Sequence, residues 1–198
     1  TLGLEGAFSL RLLYDEDAIL LINEAVEKVG LKMGQDIKLA LDVAGNHCQM
    51  ENQEIVEVFK RYNIFSIEDP FSENDWEKFG QLKLELEELH RPFLLIGDDL
   101  FATHKKLLEK GINNRVANGI IIKPNQVGTL TEVLEIMGLA HKADYTTVVS
   151  HRSGETIDTF ISDLAVGAAA EYLKAGAPIP NERLLKYKRL KEIEQELH

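Results

Sequence analysis

The chain has 198 residues, of which 44% are hydrophobic, and this is enough for one domain with a substantial core. Its formal net charge of -11 argues against nucleic acid as a main partner, because an acidic chain repels polyanions. The single cysteine, Cys48, excludes an internal disulfide framework and is compatible with a reducing compartment. No apolar run reaches the ~20 residues that a membrane span needs, so we expect no membrane association. Because the chain opens abruptly at Thr1, we expect it to be part of a longer polypeptide.

Hydrophobic periodicity predicts an alternation of helices and short buried strands. In chain order, the predicted elements are a strand end and loop at Leu2–Leu10, helix Asp15–Val29, strand Lys38–Val43, helix Asn52–Tyr62, strand Ile64–Ile67, helix Asp75–His90, strand Phe93–Ile96, helix Thr103–Lys110 ending at Gly111, strand Gly119–Ile122, helix Thr129–Lys142, strand Thr146–Val149, a long helical pattern over Thr156–Leu173 and helix Leu184–Leu197. Such an alternation favours a parallel sheet with crossover helices. About five strands are clear, with a weak one at each end, whereas a closed (β/α) barrel has eight. We therefore expect N-terminal sequence to be missing.

The stretch Val148–Ile161 is the most informative part of the chain. A β-branched run ends at Ser150 and is followed by His151, Arg152 and Ser153, after which a helical pattern begins. A hydroxyl, a guanidinium and a glycine before a helix suit a phosphate. The alternative is structural, since Ser153 could simply cap a turn.

Polar residues end several of the predicted strands, where a (β/α) barrel gathers its active site. Asp42, Glu68 and Asp98 are three acids in such positions, and their mutual repulsion predicts a cation among them. Oxygen ligands select a hard ion, so we predict Mg²⁺. Lys123 ends an isoleucine run and is a candidate general base, and His151 ends the following strand. Taken singly, each acid could cap a helix and the lysine could extend to solvent.

In its motifs the chain resembles the enolase family of phosphopyruvate hydratases. The matching segments are LEGAF at 4–8, LALDVA at 39–44, SIEDPF at 66–71, GDDL at 97–100, IKPNQVGTLTE at 122–132, SHRSGETIDTFISDLAVG at 150–167 and KAGAP at 174–178. The resemblance covers nearly the whole chain. It implies a (β/α) TIM-type barrel of the enolase superfamily, incomplete at its N-terminal side, spanning residues 1–198. The family's N-terminal α+β domain and its mobile lid are expected to be absent.

The resemblance also implies an activity, the Mg²⁺-dependent reversible dehydration of 2-phosphoglycerate to phosphoenolpyruvate in glycolysis and gluconeogenesis. Lys123 would remove the C2 proton and Glu5 would assist departure of the C3 hydroxyl. The implied metal ligands are Asp42, Glu68 and Asp98, and the implied substrate-binding residues are His151, Arg152, Ser153 and Lys174. Resemblance further implies a cytoplasmic homo-oligomer, a dimer or higher, acting on a small molecule.

Two alternatives remain open at this stage. One is a catalytically incomplete enolase-like fragment that serves as a metal-binding or interaction module. The other, a superfamily member acting on a different carboxylate, is disfavoured by the phosphate-type motif SHRSGET.

Four departures from the family pattern bear on the site: Leu4 and Ala7 flank the Glu5–Gly6 pair, and Pro180 and Asn181 replace the usual residues after KAGAP.

Overall fold

A computed structural model describes residues 2–3, 5–14, 16–48 and 50–197 of the chain. Its strands are β1 (Leu39–Asp42), β2 (Ile64–Glu68), β3 (Leu94–Gly97), β4 (Gly119–Ile122), β5 (Thr146–Ser150) and β6 (Tyr172–Lys174). Its helices are α1 (Glu16–Lys28), α2 (Asn52–Tyr62), α3 (Trp76–Glu87), α4 (Lys105–Asn114), α5 (Pro124–Val127), α6 (Leu130–Lys142), α7 (Phe160–Gly167) and α8 (Asn181–Leu197). Within the described ranges, no helix is both long and apolar enough to cross a membrane.

The chain forms two compact units. The first unit comprises Arg11–Leu100 and Lys110–Asn118, and the second comprises Thr1–Leu10, Phe101–Glu109 and Gly119–His198.

The first unit carries three parallel strands in the order β1, β2, β3. Asp42 pairs with Glu68 and Glu68 pairs with Ile96, so the strands end together at one edge. The helices α2 and α3 supply fully buried side chains to its core, among them Phe59 and Phe79. Phe71, which follows β2, meets the Phe79 ring edge-on at a centroid distance of 5.5 Å. This packing fixes the segment that leaves the carboxyl end of β2.

The second unit carries the parallel strands β4, β5 and β6 in that order. Ile122 lies opposite Val149, and Ser150 lies opposite Lys174, so the carboxyl ends of these strands also meet at one edge. The apolar residues of β4 are fully buried, as are Val133 of α6 and Val149 of β5. Strands buried on both faces are typical of parallel sheets covered by helices.

Two predicted elements were wrong in extent. Helix α4 does not end at Gly111 but continues to Asn114, with Gly111 buried inside it. The predicted helix over Thr156–Leu173 is only the eight-residue α7, and Tyr172–Lys174 is the strand β6. Helix α7 is followed by Ala169 with φ +53°, a conformation that no helix can continue through. The predicted start of the first helix, Asp15, lies outside the described residues.

Candidate active site

The predicted metal ligands of the first unit stand at the carboxyl ends of its three strands. Asp42 ends β1, Glu68 ends β2 directly opposite it, and Asp98 follows the last residue of β3. Glu68 and Asp98 are buried, with 7% and 9% of their surface exposed, whereas Asp42 is exposed. The parallel arrangement therefore brings the ends of all three strands to one edge, as the sequence predicted.

Asp69 connects two of these strand ends, and sequence reasoning missed it. Its Oδ1 accepts the Asp98 N–H at 2.9 Å and its Oδ2 accepts the Asp99 N–H at 2.6 Å. Its own N–H donates to the Ile96 carbonyl at 3.0 Å. Burial raises the pKa of Asp69 to about 7, against the opposing effect of the two backbone N–H groups that it accepts. The carboxylate of Asp69 thus holds the turn that presents Asp98.

A group of three carboxylates lies at this edge. Among the residues that the structure describes, the acids with one oxygen each within 4.8 Å of the others are Asp69, Asp98 and Asp99. Asn46 donates to Asp99 Oδ2 at 2.9 Å and orients it. Only Asp98 belongs to both this group and the predicted ligand set. The acidic doublets Glu68–Asp69 and Asp98–Asp99, at the ends of β2 and β3, were the sequence signal for the other two.

The donor chemistry of this edge fits a hard divalent cation. Asp42, Glu68 and Asp98, with Asp69 and Asp99 beside them, offer carboxylate oxygens and neither thiolate nor imidazole. Such sets suit Mg²⁺, which binds through a few carboxylates, waters and substrate oxygens. Close carboxylates also repel one another unless a cation joins them.

Lys123 stands at the end of β4, in the second unit, and precedes the short helix α5. Its N–H donates to the Thr103 hydroxyl at 2.9 Å. Thr103 has 1% of its surface exposed and donates in turn to Gln126 Oε1 at 2.6 Å. Thr103 therefore holds the backbone N–H of Lys123 and the side chain of Gln126, and no local pattern in the sequence indicated it.

Glu5, His151 and Ser153 meet although nearly 150 residues separate the first of them from the others. His151 Nε2 lies 3.4 Å from Glu5 Oε2, and Ser153 Oγ donates to Glu5 Oε1 at 3.0 Å. The backbone N–H of His151 donates to the backbone carbonyl of Lys174, which ends the neighbouring strand β6. The Glu5 carbonyl accepts the Ala177 N–H at 3.0 Å, which holds the Glu5 segment beside the end of β6.

Burial is the main reason why the pKa of His151 lies below its ordinary value. The positive charges of Arg183 and Lys174 act in the same direction, whereas the carboxylate of Glu5 opposes them. His151 has only 3% of its surface exposed. Burial therefore favours the neutral form of the imidazole.

Arg152 is exposed and donates from Nη1 to Asn125 Oδ1 at 3.0 Å. Asn125 lies in α5, directly after Lys123 and Pro124. The contact places a guanidinium between the Lys123 segment and the loop that follows β5, where it remains accessible to an anionic ligand.

The departures from the family motifs lie at the Glu5 turn and at the start of α8. Leu4 is outside the described residues, and Ala7 is exposed, its carbonyl accepting the Gly3 N–H at 2.8 Å. Gly6 has φ +76°, and a Cβ there would lie 2.4 Å from Pro180 Cδ. The Pro180 ring therefore packs directly on the turn that carries Glu5. Asn181 is the first residue of α8.

Comparison with known proteins identifies the family of the chain. Residues 48–198 match the family model for the enolase C-terminal TIM barrel domain, which confirms the barrel fold class predicted from the sequence. The chain is 43% identical to enolases of Helicobacter acinonychis (strain Sheeba) and Helicobacter pylori (strain J99), over its whole length and 50% of theirs. It thus spans about half the length of these curated relatives. On this evidence the chain belongs to the enolase family.

Proposed function

We propose that the protein catalyses the Mg²⁺-dependent, reversible dehydration of 2-phosphoglycerate to phosphoenolpyruvate. The observation that carries the proposal is the contact of Glu5 with His151 and Ser153, in the same unit as Lys123. This unit combines a lysine at a strand end with a carboxylate, an imidazole and a hydroxyl, as an elimination across two adjacent carbons requires. Membership of the enolase family supports the assignment.

The proton-abstraction step is assigned to Lys123. A proton on the carbon next to a carboxylate is only weakly acidic, so a general base must be held close to that carbon. Lys123 is half-buried, and Thr103 fixes its backbone. The C2–H electron pair is first delocalised onto the substrate carboxylate. It then forms the C2–C3 π bond as the C3–O bond breaks and the C3 oxygen leaves as water.

Departure of the C3 hydroxyl is assigned to Glu5 and His151. The leaving oxygen needs a proton to depart as water, and Glu5 is placed to deliver one when protonated. His151 lies beside Glu5 and orients it. Arg152 and Ser153 would bind the phosphate, and Lys174 would neutralise the substrate carboxylate as its negative charge grows.

Asp42, Glu68 and Asp98 would hold the Mg²⁺ ion. When bound, the ion would supply positive charge to a substrate carboxylate that becomes more negative in the transition state. The oxygen-only donor set at that edge of the first unit supports this choice of metal.

We also infer that the protein works as a homo-oligomer, a dimer or higher, in the cytoplasm, on small-molecule substrate alone. Family resemblance supports this inference. Light scattering coupled to size exclusion measures the oligomeric state, and a monomer at micromolar concentration would contradict it.

The test is phosphoenolpyruvate formation, followed by absorbance, from 2-phosphoglycerate and Mg²⁺. We expect Lys123→Ala to lower kcat by at least ~10²-fold, the contribution of a general base. The control Lys142→Ala removes an exposed lysine at the end of α6 and should leave kcat unchanged. If the unmodified chain shows no turnover but binds Mg²⁺, the enolase proposal fails for this chain. A metal-binding, enolase-like module is then the better description.

A further inference from the structure

Helix α8 buries two cations directly beneath the loop that follows β5. Arg183 has 1% and Lys186 0% of its surface exposed, and among the described residues no other lysine or arginine is buried. They lie three positions apart and so project from neighbouring turns of the same helix face. Neither has an assigned role in the proposed reaction. Burying a charge is costly unless it is paired and hydrogen-bonded, so the hydrogen-bond partners of Arg183 and Lys186 indicate what these two cations hold in place.

Arg183 contacts the residues of the proposed site through its guanidinium. Nη1 donates to the Arg152 carbonyl and Nη2 to the Ser153 carbonyl, each at 2.8 Å. Nη1 also forms a hydrogen bond with His151 Nδ1. The planar guanidinium therefore spans three successive residues of the loop.

Lys186 holds the next part of the same loop and does not touch His151. Its Nζ donates to the Thr156 carbonyl at 2.6 Å and lies 3.5 Å from Glu155 Oε1. It thus offers a matched comparison: a buried cation on the same helix, bound to the same loop, without contact to the imidazole.

The contact with Arg183 determines which nitrogen of His151 carries the proton. A guanidinium only donates hydrogen bonds, so Nδ1 of His151 must accept with its lone pair. The ring proton then resides on Nε2, which lies 3.4 Å from Glu5 Oε2. In the other tautomer, N–H groups of arginine and imidazole would face each other and Glu5 would face a lone pair.

Close packing leaves the ring little room to turn away from this arrangement. A Cβ at Gly176 would lie 3.1 Å from His151 Cε1 and 3.2 Å from Arg183 Cδ. The backbone at Gly176 therefore lies against both side chains. The Tyr187 hydroxyl, one turn further along α8, donates to the Gly176 carbonyl and fixes that backbone.

We propose that Arg183 is a positioning residue that fixes His151 in the Nε2–H tautomer and thereby directs a proton donor at Glu5. The catalytic consequence rests on the proposed function, but the tautomer itself does not. Arg183 acts through His151, because a hydrogen bond to one ring nitrogen of a histidine sets the protonation of the other.

The experiment is nitrogen NMR of the protein labelled with ¹⁵N-histidine, at a pH well above the ordinary histidine pKa. The His151→Gln variant identifies the His151 signals by their loss. In the unmodified protein we expect Nδ1 to be the unprotonated ring nitrogen and Nε2 the protonated one. Arg183→Met should give a mixture of tautomers, whereas Lys186→Met should leave the His151 pattern unchanged.

A protonated Nδ1 in the unmodified protein would overturn the proposal, as would an unchanged tautomer in folded Arg183→Met. If Arg183→Met does not fold, the spectrum of the unmodified protein still shows which ring nitrogen of His151 carries the proton. Arg183→Lys then tests the guanidinium specifically, since it keeps the charge and loses the fork. Where turnover is measurable, we expect Arg183→Lys to lower kcat by roughly 10²-fold with little change in KM. Because the tautomer is read without turnover, failure of the enolase assignment and failure of this inference are distinguishable.

Discussion

Replacement of Thr103 by valine tests how the backbone at Lys123 is held. Valine has nearly the shape of threonine and is equally β-branched, so the left-handed conformation at this position, φ +49°, is no more strained by the change. What is lost is the hydroxyl, which accepts the Lys123 N–H at 2.9 Å and donates to Gln126 Oε1 at 2.6 Å. The hydroxyl also lies 3.3 Å from the Ile121 carbonyl oxygen. The variant therefore removes all the hydrogen bonds of this hydroxyl and little volume.

The magnitude follows from the burial of these groups. Thr103 is 1% exposed, so a methyl group in place of its hydroxyl leaves the partner groups facing an apolar surface. An unpaired buried donor or acceptor costs about 1–3 kcal/mol. Because Lys123 and Gln126 are only half-buried and water can reach them in part, we expect a total loss of about 1–3 kcal/mol in the free energy of unfolding.

Urea unfolding measures this loss, with an unchanged m-value showing that only stability has changed. Amide hydrogen exchange gives the direct readout, since the Lys123 N–H should exchange faster in Thr103→Val. Thr103→Ser is the control: it keeps the hydroxyl, loses about 0.8 kcal/mol for one methyl group, and should keep the Lys123 amide protected. Equal protection of this amide in Thr103→Val and Thr103→Ser would refute the reasoning.

Three further predictions concern other parts of the chain. Thr129→Ala should cost about 1 kcal/mol in urea unfolding, because the Thr129 side chain caps α6. Gly6→Ala should lower the free energy of unfolding by about 1–3 kcal/mol or more, since Gly6 has positive φ and no room for a Cβ. The control is Gly154→Ala, whose added Cβ would meet nothing within 4 Å. Its free energy of unfolding should stay within about 0.5 kcal/mol of that of the unmodified protein. Mg²⁺ at a hundredfold excess over its Kd should stabilise the protein by about 2.7 kcal/mol in thermal unfolding. If Asp98→Asn were stabilised by Mg²⁺ to the same extent, the assignment of Asp98 as a metal ligand would be contradicted.

The positions of the strand ends could be predicted from sequence because each is a short apolar run closed by polar residues. Strand β4 was predicted with its observed bounds, and β1, β2, β3 and β5 within a residue or two of theirs. Helix α2 was also predicted with its observed bounds. Its Glu51 and Glu54 form a capping box, and Asn63 ends it in the left-handed conformation. Both signals are local, so the sequence displays them directly.

Two elements were misjudged because tertiary contacts overrode local preference. Ala168, Ala169 and Ala170 favour a helix by their intrinsic propensity, which extended the predicted helix to Leu173. In the structure, Tyr172 instead pairs with Val148 and Leu173 with Val149, so this segment joins the second unit's sheet as β6. Gly111 suggested a helix end, yet its buried position keeps it within α4.

The sequence alone determined the fold class and the positions of Lys123 and the acids at the strand ends, because strand periodicity and motif spacing are written along the chain. Only the tertiary structure revealed that Asp69 holds the turn of Asp98, that Thr103 fixes Lys123, and that Arg183 reaches His151. Each of these contacts joins residues about 20 or more positions apart, and no local pattern encodes such a pair. These partners meet because the parallel strands within each unit end together and buried polar groups must find partners there.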